Sequence, residues 1–89
     1  MSDATKRPFR LSGHAQGYLT RRGFNESEVK ATIRKSAWDS VRGNRMGAMM
    51  EFENNAEWNG TYYATKRVRP IFVEEPDEIV IVTVYTYFF

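Results

Sequence analysis

The stretch Glu78-Ile79-Val80-Ile81-Val82-Thr83-Val84-Tyr85-Thr86-Tyr87-Phe88 decides the fold. Nearly every residue in it is β-branched or aromatic, the types that fit a pleated surface. Apolar side chains fall on both faces of the alternation, the pattern of a central strand covered on each side. Ile79, Ile81, Thr83, Tyr85 and Tyr87 share one face. Val80, Val82, Val84, Thr86 and Phe88 share the other, which reads as core.

A central strand needs neighbours, and the residues upstream supply them. Met46, Ala48, Met50 and Phe52 alternate with Gly47, Met49, Glu51 and Glu53, a half-buried strand. Asn54-Asn55, Asn59-Gly60 and Glu75-Pro76-Asp77 are turn signals. Thr61 to Ala64 reads as a short strand and Lys66 to Glu74 as another, where Pro70 demands an edge or a bulge. Ser40 to Arg45 reads as a loop. Before it the period is helical. Ser12 is an N-cap, and Leu11, Ala15, Tyr18 and Leu19 recur at helical spacing up to Gly23, a left-handed stop. Asn25 and Glu28 form a capping-box pattern ahead of Val29, Ile33 and Ala37. These elements predict an α+β fold: two N-terminal helices packed on a three- to four-stranded antiparallel sheet. Residues 1–10 are expected to be a flexible arm and 11–89 a single domain.

Composition narrows the function classes. The chain has 89 residues, no Cys and one His, which leaves no disulfide framework and no multi-histidine metal site. No apolar run approaches a membrane span, and the first residues lack a signal-peptide core, so a cytoplasmic location is expected. Charge is polarised. Residues 1–48 carry ten Lys/Arg against four Asp/Glu, whereas residues 49–89 carry three against seven. A basic half suits a polyanion; otherwise it is a solvated surface.

The candidate chemistry starts at His14, the side chain whose reference pKa lies nearest neutrality. On a helix His14, Tyr18 and either Arg21 or Arg22 share a face; the alternative is a histidine packed on the sheet. Arg67 and Arg69 stand roughly 7 Å apart on one strand face, a spacing for phosphate, or for pairing with Glu51, Glu53 or Glu74. Thr83 and Tyr85 can orient a ribose or stack a base. Trp38 and Trp58 read as caps on a small core.

His14-Ala15, Arg22-Gly23-Phe24, the capped segment Asn25 to Ile33 and Val82-Thr83-Val84-Tyr85 together resemble a bacterial family, the domain of unknown function 4258. The similarity runs over about residues 9–89. Tyr18 stands where that family commonly has Arg. The resemblance implies kinship with barnase-like, RelE-like and colicin-type ribonucleases, many of them toxins of toxin–antitoxin systems. It implies a RelE/barnase-like fold and a metal-independent endoribonuclease that needs no cofactor and works by 2′-OH transesterification. The resemblance carries over His14, Arg22, Thr83 and Tyr85; with the residues read from spacing, catalytic roles are expected for His14, Arg67 and Tyr85, and substrate-binding roles for Arg22, Arg69, Thr83, Tyr18 and Arg21. Expected partners are RNA, ribosome-associated or free, an antitoxin-like protein, and a second copy through the apolar end of the chain; no membrane partner is expected. The competing class is a non-catalytic RNA-, ribosome- or protein-binding module.

Overall fold

A computed structural model describes residues 7–89. Strand takes 52% of these residues and helix 18%, so the molecule is a sheet with helical additions. In chain order the elements are β1 (Phe9–Leu11), α1 (Gly13–Gly17), α2 (Glu26–Lys35), β2 (Asp39–Arg42), β3 (Arg45–Gly47), β4 (Met50–Trp58), β5 (Thr61–Glu74) and β6 (Ile79–Phe88). The sheet has six strands in the order β1-β6-β5-β3-β2, with β4 also paired to β5.

This architecture corrects the expected one of two N-terminal helices on three to four antiparallel strands. The sheet is mixed, because β1 runs parallel to β6 with Phe9 opposite Ile79 and Leu11 opposite Ile81. A strand, not a helix, comes first among the described residues. Its three residues are too few to show a period, and its partner lies about 70 positions away. Of the arm expected over 1–10, residues 1–6 lie outside the described residues, while Phe9 and Arg10 belong to β1.

β5 is the organiser. The two short strands expected over 61–74 are one 14-residue strand, paired with β6 along one side and with β4 and β3 in succession along the other. Pro70 sits in its middle without loss. The Pro70 carbonyl accepts from Ala48 N, so its ring nitrogen faces the same side. There Ala48 and Met49 separate β3 from β4, and no ladder bond needs the missing donor. The strand expected over 46–53 is thereby divided. Asn55, with φ 44°, marks a bulge within β4, and the hairpin turns at Asn59-Gly60, both residues left-handed.

α2 covers one face of the sheet. Asn25 and Glu28 close the capping box, and the helix stops at Ser36. Val29 and Ile33 pack with Val68, Phe72, Ile79, Ile81 and Val84 in one core. Trp38 caps that core edge-on to Phe72, its indole N–H donating to the Ile33 carbonyl at 2.8 Å. Trp58 stacks on Phe88 at 5.0 Å.

The faces of β6 differ from the simple alternation. The β5–β6 register shifts between Ile71 and Phe72, leaving Val82 as the extra residue. Ile79 and Ile81 therefore join Val84, Thr86 and Phe88 on the helix-covered face. Thr83, Tyr85 and Tyr87 emerge on the other. No helix among the described residues is long and apolar enough to cross a membrane.

Candidate functional site

The extra residue in β6 lies where β1 ends, so the edge of β6 beyond Ile81 has no strand beside it among the described residues. The segment after β1 takes over that edge with side chains. Ser12 donates its amide to the Ile81 carbonyl at 2.9 Å and its hydroxyl to the Val82 carbonyl at 3.0 Å. The same oxygen accepts from Ala15 N as the N-cap of α1. One serine thus starts the helix and ties it to the bulge.

α1 is shorter than the helix expected up to Arg22; it ends at Gly17. The expected grouping survives through a different device. A single α-turn, Arg22 N to Tyr18 O at 2.8 Å, carries the chain round so that Arg22 lies over Tyr18. The Arg22 guanidinium carbon is 3.8 Å from the Tyr18 ring centroid and 5.1 Å from that of Tyr85. Arg22 Nη1 donates to the Val84 carbonyl at 2.8 Å and contacts Thr83 Oγ1 at 3.5 Å. The Arg22 carbonyl in turn accepts from the Thr86 hydroxyl. The guanidinium lies over the Tyr18 ring and within cation–π reach of Tyr85, and is bonded to the strand through one nitrogen, leaving Nη2 and Nε for an anion.

Around it is a pocket of about 490 Å³ lined by His14, Tyr18, Arg22, Arg45, Val82, Thr83 and Tyr85. Three elements and a turn build it: α1 with the turn behind it, β6, and β3 from the far side of β5. His14 is exposed, its ring edge-on to Tyr18 at 4.6 Å. It is not the packed histidine of the alternative reading. No carboxylate lines the pocket, and neither Arg22 nor Arg45 forms an ion pair among the described residues.

Five of the expected site residues meet here: His14, Tyr18, Arg22, Thr83 and Tyr85. Three do not. Arg67 pairs with Glu51 at 2.7 Å, one of the partners weighed for it. Arg69 makes a two-point contact with Asp39 at 3.0 and 3.3 Å. That contact holds Asp39 below its usual carboxylate range and Arg69 above its usual value, each chiefly through the hydrogen bond they share. Arg21 lies outside the lining, 5.3 Å from the Tyr18 centroid. Arg67 thus fastens β5 to β4, and Arg69 reaches across β3 to β2.

Arg45 was missed because residues 40–45 read as a loop. They are instead the end of β2, a turn and the start of β3. The signal was Gly43-Asn44 between Val41 and Met46, a hairpin pattern, and Gly43 has φ 60°. Against known proteins, the chain matches no family model, no curated protein and no solved structure.

Proposed function

We propose that the chain is a small metal-independent endoribonuclease of toxin type that cleaves RNA by 2′-OH transesterification in the His14 pocket. One observation carries the reading: an imidazole, two guanidiniums, two phenols and a hydroxyl surround one open cavity that no carboxylate lines among the described residues. The motifs that resemble the domain of unknown function 4258 contribute His14, Arg22, Thr83 and Tyr85 to that cavity, and membership of that family is part of the proposal.

The substrate supplies its own nucleophile. Its 2′-oxygen attacks the adjacent phosphorus and the P–O5′ bond breaks, giving a 2′,3′-cyclic phosphate and a 5′-hydroxyl. Neutral His14 takes the 2′-OH proton, and the Tyr85 phenol gives one to the departing 5′-oxygen; solvent returns the proton from imidazolium to phenolate. Arg22 and Arg45 hold the extra charge of the phosphorane, with Arg45 in the role first given to Arg67. Thr83 and Tyr18 position the phosphate and the Arg22 plane. Acid–base catalysis contributes roughly 10²–10⁴-fold, and donors aimed at the developing charge roughly 10²–10³-fold more.

The test is incubation of the purified protein with RNA in EDTA. Cyclic-phosphate ends that vanish in His14→Ala are expected. Equal cleavage by His14→Ala removes the assignment. Salt-dependent binding without cleavage leaves the non-catalytic module.

A further inference from the structure

The face of the sheet turned away from α2 carries a stripe of large side chains that the core does not use. Tyr85, Tyr87 and Phe89 remain 44%, 48% and 51% exposed, at alternate positions along β6 and one residue beyond its end. Phe89 stays in register, exchanging two backbone hydrogen bonds with Thr65. Guanidiniums run beside the rings. Arg69 lies opposite Tyr85 and Arg67 opposite Tyr87, and the Arg67 guanidinium carbon is 4.9 Å from the Phe89 centroid. The stripe begins in the pocket, because Tyr85 is one of its walls.

We propose that this stripe is a stacking track for successive unpaired bases, so that the substrate entering the His14 pocket is single-stranded RNA. The proposal rests on the ribonuclease reading for the role of the pocket. Alternate residues of a strand stand roughly 6.6–6.8 Å apart. Bases stacked in a duplex are spaced about 3.4 Å along each strand. Rings at twice that spacing cannot follow a stacked helix, but each can take one base of a splayed strand. Aromatic platforms interleaved with arginine, leading to a cationic pocket, are the arrangement by which single strands are held without sequence preference. Arg67 and Arg69 are already neutralised by Glu51 and Asp39, so the track binds by stacking, while Arg22 and Arg45 supply the phosphate charge.

The experiment measures anisotropy of a labelled oligonucleotide, 2′-O-methylated throughout so that it cannot be cut, alone and annealed to its complement. Tyr87→Ala and Tyr87→Phe are compared with the unaltered chain, with folding checked by circular dichroism and mass by sedimentation. The single strand is expected to bind at least tenfold tighter than the duplex. Tyr87→Ala is expected to weaken it by about 5- to 100-fold, and Tyr87→Phe to keep the affinity. Equal affinity for duplex and single strand overturns the proposal. So does unchanged binding by folded Tyr87→Ala, or a dimer that this substitution dissociates. Cleavage of natural RNA is read separately. A track that binds without cleavage anywhere removes the nuclease reading alone, and cleavage with no Tyr87 effect removes the track alone.

Discussion

Arg22 does at once what several residues do elsewhere: its guanidinium reaches the rings of two tyrosines, its Nη1 bonds the strand edge, and its carbonyl anchors Thr86. A lysine keeps the charge but neither the plane nor the fork. On the proposed ribonuclease reading, Arg22→Lys is therefore expected to lower RNA cleavage by about 10²-fold or more, which single-turnover rates will show. Arg45→Ala is expected to cost a similar factor and to flatten the salt dependence of RNA binding by about 0.7 in log–log slope, the share of one phosphate contact on a single strand. Arg67→Ala, which loses its Glu51 pair and its place beside the Phe89 ring, is expected to leave the single-turnover cleavage rate at saturating RNA within about twofold, since the side chain lies outside the pocket and exposed pairs contribute little. Gly23 is constrained twice: its φ is 70°, and an added Cβ would stand 2.9 Å from Trp58 and 3.0 Å from Phe88. Gly23→Ala is expected to destabilise by about 2–4 kcal/mol, measured by urea unfolding. His14, Tyr18 and Arg22 were legible from spacing because an α-turn keeps the helical offset even where the helix has ended. Arg45 was not, since nothing local says that a strand beginning there lies two places from β6.

At the scale of elements, α2 was legible because its caps are local: Asn25 and Glu28 satisfy one another across three residues. β6 was legible as a strand but not in its faces, because a bulge depends on the partner's register and leaves no mark of its own. The β2–β3 hairpin depends on Gly47 in the same non-local way. A Cβ there would stand 2.9 Å from Arg69 Nη2, which crosses above it to reach Asp39. Gly47→Ala is expected to push the guanidinium off Asp39, and a carboxyl NMR titration should find Asp39 moving back up toward its ordinary value of 3.8. The depressed value also sets the sign of the acid response. The Asp39–Arg69 link contributes fully above the ordinary carboxylate value and is lost as pH falls through the lower, folded one.

Across the whole molecule the same acid response appears at the opposite edge. Glu78 is held below its usual value chiefly by the hydrogen bond from Arg10, which ties β1 to β6. Thermal unfolding followed from pH 7 down to pH 2 is expected to lose stability as pH falls from the ordinary carboxylate value through the lower folded ones, and Arg10→Ala is expected to remove the Glu78 share of that loss, leaving a shallower acid response. The sheet-dominated plan was not legible. Val29 and Ile33 read as a core stripe and lie in the core, but the parallel β1 arises from contacts about 70 residues apart and the place of β3 beside β5 from contacts about 25 apart, which no short window of sequence contains. The pocket has the same origin. His14, Tyr18, Arg22 and Arg45 precede the exposed Asn59-Gly60 turn, and Thr83 and Tyr85 follow it. A backbone cut at that turn divides the cavity wall between two peptides. Neither piece holds a complete cavity, so reassociation of the two becomes the condition for any chemistry, and the chain is a natural candidate for a two-fragment complementation reporter.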